Sequence, residues 1–221
     1  MPSTKKDVVN VQEALKKELA GMKDRVEPPS GYMISTKGKV FNLPNGSSSD
    51  GPLTCVVLDW ATANTYFEGI YNPKDVKPPV CFAISAEPAK AAPSDKVPNK
   101  QAELCSDCPK NEWGSDPQGG KGKACKNTRR LLIVPIDATE KTPCWVISVS
   151  PTGLKYFDKY VNTLADMGTH PIEVATDISF EASDAFPSLR FEVVDKHDAL
   201  NVMWHLKGVG QEILHQEPKI D

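Results

Sequence analysis

Residues 105–130, CSDCPKNEWGSDPQGGKGKACKNTRR, combine thiols, glycines and cations in one short segment. Cys105 and Cys108 are separated by two residues, which is the spacing at which cysteine pairs bind zinc in structural sites. Cys125 supplies a third thiol after a glycine-rich stretch. Because a structural zinc site is tetrahedral, it needs one more ligand. The segment therefore predicts a zinc site whose fourth ligand lies elsewhere in the chain.

Three further cysteines are available as this fourth ligand. Cys81 lies in PPVCFAIS, just before the long polar segment, whereas Cys55 and Cys144 lie in the apolar contexts LTCVVL and PCWVIS. A cysteine in an apolar strand usually acts as a small buried hydrophobic residue. This favours Cys81 as the fourth zinc ligand and leaves Cys55 and Cys144 as alternatives.

One structural Zn²⁺ would stabilise a segment that has too few apolar residues to order itself by burial. Four thiolates also leave no open position for water, so the predicted site is structural rather than catalytic. The alternatives are four thiols without metal and a redox C-x-x-C pair, although no thioredoxin-like βαβ pattern surrounds the pair. The predicted ligands are Cys81, Cys105, Cys108 and Cys125.

A cluster of cations overlaps the end of this segment in a chain whose formal net charge is −3. Its members are Lys121, Lys123, Lys126, Arg129 and Arg130. Aromatic residues occur nearby in DWATANTYFEGIYNP and in the cysteine segment itself, namely Trp60, Tyr66, Phe67, Tyr71 and Trp113. Cations that contact phosphates and rings that stack on bases are the two components of non-specific single-strand binding. The alternatives are a solvated charge run and rings that pack beneath their own loop.

Enzyme motifs are not found in the sequence. Zinc deaminases place H-x-E before P-C-x-x-C, but all four histidines here follow the C-x-x-C pair. GSDPQGGKGK has one residue too many before the lysine for a P-loop, and no Ser or Thr follows it. We therefore predict that the protein is not an enzyme.

The 221 residues suffice for one large domain or two small ones. No apolar run approaches the length of a membrane span, and the charged N-terminal residues lack the apolar centre of a secretory signal. These features predict a cytoplasmic protein, in which cysteines are more often thiols or metal ligands than disulfides.

Hydrophobic periodicity predicts the elements that position these residues. A helix is expected at 7–23, a second from Ser150-Pro151 to about Gly168, and a third over about 198–215. Strands are predicted at GYMIST, KVFNL, LTCVVLDW and VCFAIS before the polar segment, and at RRLLIVPI, PCWVISVS, HPIEVATDISFE and SLRFEVVD after it.

Because strands mostly follow strands, this pattern favours a mainly β (α+β) fold with an OB-like β-barrel core, a long zinc-stabilised loop and added helices. We predict a helical arm at 1–28, the barrel domain at 29–196 with a zinc-binding insertion at about 81–125, and a C-terminal helix with a short tail at 197–221.

Several motifs resemble a family of phage-encoded single-stranded-DNA-binding proteins with a four-cysteine zinc insertion. They are F-x-L-P-x-G at 41–46, PPVC, C-x-x-C-P-x-N-x-W-G-S and GKGKACKNTRRL, and the similarity spans roughly 31–191. The resemblance implies Cys81 as the fourth ligand, an OB-type barrel and a role in phage DNA replication or recombination. Replication-type binders often end in an acidic tail that recruits partners, whereas this tail is short and contains Lys219.

We therefore predict a non-enzymatic protein that binds single-stranded DNA without sequence specificity in the cytoplasm of an infected bacterial cell. Replication or recombination proteins are further expected partners, and a homo-oligomer is compatible with the sequence. The competing hypothesis is a zinc-containing interaction module that binds a host or replisome protein. A nuclease or other DNA enzyme ranks third.

Overall fold

The structure, a computed structural model, describes residues 31–69 and 77–218. The predicted helix at 7–23, Tyr71 and Lys219 lie outside these residues. The strands of the described part are β1 Met33–Ile34, β2 Phe41–Asn42, β3 Ser48–Ser49, β4 Leu53–Tyr66, β5 Cys81–Ser85, β6 Cys125–Pro135, β7 Trp145–Val149, β8 Val174–Phe180 and β9 Leu189–Lys196. The α-helices are α1 Leu154–Asp166, α2 Leu200–Val209 and α3 Gln211–Leu214.

Seven of the strands form one mixed sheet in the order β1-β7-β6-β4-β8-β9, with β5 paired to β4. The β1–β7 pair is parallel, and all other pairs in the sheet are antiparallel. Within the described residues, the end strands β1 and β9 do not pair with each other. The fold is mainly β, as predicted, but no closed barrel is found in the part of the chain that the structure describes.

Strand β4 organises this sheet because it pairs with three other strands. One of its edges pairs with β6 from Cys55 to Tyr66. The other edge pairs with β8 at the start of β4 and with β5 at its end. An irregularity between Val57 and Asp59 shifts the register midway. The end of β4 is therefore flanked by β5 and β6, the strands that enter and leave the long polar segment.

Both faces of the sheet are covered, because alternating residues of the central strands enter two hydrophobic clusters. Leu131 and Ile133 of β6 pack with α1 residues such as Phe157, whereas the intervening Leu132 packs with Met203 of α2. Helix α1 confirms the predicted apolar stripe, although it begins four residues after Ser150. The C-terminal helix is also confirmed, in two parts that meet at Gly210. A Cβ at this position would lie 2.5 Å from a methyl of Leu132.

The long polar segment between β5 and β6, residues 86–124, is called the insertion below. It contains no strand or α-helix, and its regular structure is three short 3-10 turns at Pro88–Lys90, Cys105–Asp107 and Pro109–Asn111. Backbone hydrogen bonds tie it to the sheet and to itself, from Ser94 N to Phe82 O at 3.0 Å and from Cys105 N to Ala91 O at 2.8 Å. Few apolar side chains of the insertion are buried, as the sequence predicted.

Candidate metal and nucleic-acid site

Strand register places two cysteines at the same end of the sheet. Tyr66, the last residue of β4, lies opposite Cys81 on one neighbouring strand and Cys125 on the other. Residues directly opposite each other on adjacent strands project from the same face. Cys81 and Cys125 therefore flank Tyr66 where the insertion leaves and rejoins the sheet.

The insertion brings Cys105 and Cys108 to the same place. All four cysteines line one pocket, together with Asn64 and Tyr66 among others. Each of the four is at most 9 % exposed. This group is called the cysteine pocket below, and its members are Cys81, Cys105, Cys108 and Cys125.

The remaining two cysteines are separated from the cysteine pocket. Cys55 packs in the cluster beneath α1, and Cys144 packs in the cluster beneath α2. The Cys144 thiol lies 3.6 Å from the carbonyl oxygen of Leu206, which it faces as a hydrogen-bond donor. Both behave as the small buried hydrophobic residues that their apolar contexts indicated.

The cysteine pocket presents four thiols, the donor type that structural zinc sites use. Among the described residues, no group of three or more His, Cys, Asp or Glu side chains stands so that it could hold a metal ion. The chemistry of the donors fits zinc, because four thiolates are a common structural ligand set.

Electrostatics within the pocket oppose thiolates unless a cation compensates them. Burial, followed by repulsion from Cys105, Cys108 and Cys81, raises the pKa of Cys125 to about 12, against a smaller opposing effect of Lys123. Burial is also the largest cause of the raised pKa values of Cys81 and Cys105. A divalent cation would reverse this balance, and its binding would release protons.

Polar neighbours partly oppose the effect of burial on two of these thiols. The backbone of Gln101 lowers the pKa of Cys81, and the side chain of Asn64 lowers the pKa of Cys105, each against the larger effect of burial. Asn111 ties the backbone at the same site, since its Nδ2 donates to the carbonyl oxygen of Cys105 at 2.7 Å. Neither asparagine was predicted from the sequence. The period of two that aligns Asn64 with Tyr66 along β4 could have indicated the first of them.

Three of the predicted cations lie together at the end of the insertion and the start of β6. Lys121 and Lys126 are exposed, and Lys123 is half-buried. Lys126 forms an ion pair of 2.8 Å with Asp116, while Lys123 lies 5.2 Å from the ring centre of Trp113. The structure therefore places cations and an exposed ring side by side.

The two arginines project from opposite faces of β6, because side chains alternate along a strand. Arg129 is half-buried and lies opposite Thr62 of β4 and Val149 of β7. Arg130 is buried, at 8 % exposure. Its guanidinium donates to the carbonyl oxygens of Gln216 at 2.6 Å and Ile213 at 3.4 Å. Arg130 thus holds the C-terminal segment against the sheet, and the predicted phosphate contact at this residue is corrected on that ground.

Replacing Arg130 with alanine is expected to lower the free energy of unfolding by about 2–3 kcal/mol, because its charged hydrogen bonds to the carbonyl oxygens of Ile213 and Gln216 are lost. Urea unfolding measures this change. Lys126→Ala, on the same face of the same strand, is the control and should cost below about 1 kcal/mol as an exposed ion pair. Equal losses for the two variants would contradict the role assigned to Arg130.

The predicted stacking residues are divided between surface and interior. Trp113 is 78 % exposed and Phe67 is 48 % exposed. Tyr66 is buried, with the Lys110 ammonium 5.4 Å from its ring centre. Trp60 is half-buried with its ring edge-on to Phe157 at 5.5 Å. Trp60 and Tyr66 both lie in β4, which extends beyond the predicted strand LTCVVLDW to Tyr66.

Comparison of the chain with family models, curated proteins and solved structures finds no match in any of the three. Within residues 31–69 and 77–218, no helix combines the length and the hydrophobicity needed to cross a membrane.

Proposed function

We propose that this protein binds single-stranded DNA without sequence specificity, in phage DNA replication or recombination. The binding surface comprises Trp113 and Phe67 with Lys121, Lys123 and Lys126, and it is called the lysine–tryptophan surface below. The observation that carries the proposal is the 78 % exposed Trp113 beside lysines. A large exposed ring beside cations, on a segment tied to a sheet, suits bases and phosphates together.

Local charge supports this proposal in a chain that is acidic overall. Lys121 is exposed, and the ion pair of Lys126 with Asp116 lies at the surface, where exchange for a phosphate costs little. Each phosphate neutralised by a lysine releases counterions, which makes binding depend steeply on salt. Affinity for a polyanion therefore requires only this local group of cations.

Zinc is the second part of the proposal. Cys81, Cys105, Cys108 and Cys125 would hold one Zn²⁺, which supplies structural cross-linking and no catalytic step. The pocket joins the first residues of β5 and β6 to the middle of the insertion, so one ion would fix the segment that carries Trp113. The insertion has little apolar surface of its own, and metal binding would supply the missing ordering free energy.

An OB-like core is the third part. OB-folds are partly open barrels that bind oligonucleotides across a strand face and its loops. Strand β4 pairs antiparallel with its neighbours, and the end strands β1 and β9 of the described sheet do not pair with each other. Both features are compatible with such an open form. The proposal also places the protein in the cytoplasm of an infected bacterial cell, with replication or recombination proteins as further partners.

Helix α2 favours a second candidate function, a module that binds a host or replisome protein. Its outer face carries Trp204 at 68 % exposure and Leu200 at 43 % exposure. Tryptophan is enriched among the residues that dominate binding energy in protein interfaces. In this alternative the lysines would face an acidic partner.

Titration of fluorescently labelled oligo-dT, with a duplex of equal length in parallel, tests the proposal. Measured at about 50 and 200 mM salt, affinity for the single strand should fall steeply with salt, and the duplex should bind more weakly. Failure of the protein to bind either nucleic acid would refute the proposed function and favour the interaction module.

Trp113→Ala is expected to weaken oligo-dT binding by about 1–3 kcal/mol, because one stacked base loses its ring. Trp204→Ala is a matched control, since Trp204 is also exposed and has a lysine, Lys207, 5.7 Å from its ring centre. Fluorescence titration should show unchanged affinity for the Trp204 variant. If both variants weakened binding equally, the stacking assignment of Trp113 would be wrong.

A further inference from the structure

The face of the sheet between the cysteine pocket and helix α1 is polar. Side chains at every second position of β4 share a face. One row therefore contains Trp60 in the cluster beneath α1, then Thr62 and Asn64, and finally Tyr66 at the cysteine pocket. Arg129 of β6 lies directly opposite Thr62 and projects from the same face. The row thus leads from α1 to the pocket past one arginine.

Arg129 has no partner for its charge on this face. Its side chain is half-buried, and its guanidinium makes no hydrogen bond or ion pair within residues 31–69 and 77–218. The hydroxyl of Thr62, directly opposite, is buried and also lacks a hydrogen-bond partner in the described part of the chain. Buried polar groups in proteins are nearly always hydrogen-bonded. A half-buried guanidinium beside an unsatisfied hydroxyl therefore indicates a place where an anion can bind.

A second cation without an acidic partner lies at the other end of the row. Lys110 of the insertion is half-buried, and its ammonium lies 5.4 Å from the ring centre of Tyr66. Among the described residues, this ammonium makes no ion pair or hydrogen bond. Tyr66 and Thr62 are four residues apart on β4, so the positions of Lys110 and Arg129 differ by about 13 Å along the strand.

Lys110 also connects this face to the lysine–tryptophan surface. Its neighbour Asn111 accepts a hydrogen bond from Lys123 at 3.2 Å. Lys123 in turn lies 5.2 Å from the ring centre of the exposed Trp113. Cations thus continue from the exposed ring, through Lys123 and Lys110, to the arginine beside Thr62.

We propose that single-stranded DNA bound at the lysine–tryptophan surface continues across this face of the sheet, where Lys110 and Arg129 each contact a backbone phosphate. These two residues are called the cation track below. The inference rests on the proposed function and extends its site by about 13 Å toward α1. A phosphate accepts two hydrogen bonds from one guanidinium, and it gives Arg129 the anionic partner that the described residues do not supply. Because Tyr66 is buried, the track contacts phosphates and carries no base preference.

The test measures the salt dependence of oligo-dT binding by Lys110→Gln, Arg129→Gln and the double variant, all in the full chain. Each lost phosphate contact should lower the magnitude of the slope of log K against log salt by about 0.7, and the affinity at low salt by about 3-fold. The double variant should therefore lose about 1.4 from the slope. Arg129→Lys keeps the charge and should keep the slope. Lys90→Gln is the control, because Lys90 is an exposed lysine of the insertion that pairs with Glu87.

The outcomes separate this inference from the proposed function. If the wild-type chain does not bind oligo-dT, the proposed function is wrong and the cation track fails with it. If the wild-type chain binds with a steep salt dependence while both single variants match Lys90→Gln in slope and affinity, only the cation track is overturned. Circular dichroism checks the folding of each variant, and Lys110→Gln alone decides the test if Arg129→Gln does not fold.

Discussion

A Cys105→Ala variant is expected to lose its zinc and to bind oligo-dT at least about 10-fold more weakly than the wild-type chain. Three thiols cannot complete the tetrahedron, and the ordering free energy that metal binding supplies is lost with the ion. The insertion should lose order, because Cys105 and Cys108 connect it to Cys81 and Cys125 at the end of the sheet. Metal content by mass spectrometry, limited proteolysis within residues 86–124 and DNA titration measure the three effects.

Cys144→Ala provides the matched control for this variant. Cys144 is as buried as the pocket cysteines but lies in the cluster beneath α2. Its replacement should cost about 1 kcal/mol of unfolding free energy through lost packing, and it should leave metal content and DNA affinity unchanged. A Cys105 variant that keeps one zinc per chain would exclude Cys105 as a ligand. Metal loss in the Cys144 variant would show that the assigned set of four zinc ligands is wrong.

Replacing Lys121, Lys123 and Lys126 together by glutamine is expected to reduce the salt dependence of oligo-dT binding. For single strands the slope of log K against log salt is about −0.7 per phosphate contact, so three lost contacts remove roughly 2 from its magnitude. Affinity at low salt should fall by about 10- to 100-fold. Titrations at several salt concentrations give both quantities.

Three lysines elsewhere on the protein control for net charge. Lys37, Lys155 and Lys159 are exposed and lie outside the insertion, the latter two on α1. Their replacement by glutamine changes the net charge by the same amount and should leave the slope within experimental error. If both triple variants lowered the slope alike, binding would depend on overall charge, and the lysine–tryptophan surface would not be the site.

Much of the regular structure could be predicted from local periodicity. The apolar stripe of α1 follows directly from Leu154, Phe157 and Leu164 at helical spacing, and the strand at VCFAIS has the predicted bounds to within one residue. The pattern of apolar residues on the buried face predicts such an element, and this pattern can be read within a few consecutive turns of a helix or residues of a strand.

The extension of β4 to Tyr66 was missed because its residues are polar. Thr62 and Asn64 alternate with alanines, and they are buried because β5 and β6 flank them on both sides. Pairing with strands that lie far away in sequence overrode the local polarity. The OB-like barrel stays a prediction, since no closed barrel is found among the described residues and closure depends on long-range pairing that no local pattern specifies.

In the candidate site, too, local features could be predicted from the sequence, whereas contacts between distant residues could not. Spacing predicted the association of Cys105 with Cys108, because both are in one short motif. The burial of Arg130 could not be predicted, because its partners are carbonyls near the C-terminus, more than 80 residues away in sequence.

If the cysteine pocket organises the lysine–tryptophan surface for single-stranded DNA, removal of zinc must weaken DNA binding. We would titrate labelled oligo-dT with the same protein in zinc-loaded, chelator-stripped and zinc-reconstituted form. We expect tight, salt-sensitive binding by the loaded protein, at least about 10-fold weaker binding after stripping, and recovery with about one zinc per chain. Equal binding by the loaded and stripped forms, or binding by neither, would contradict it.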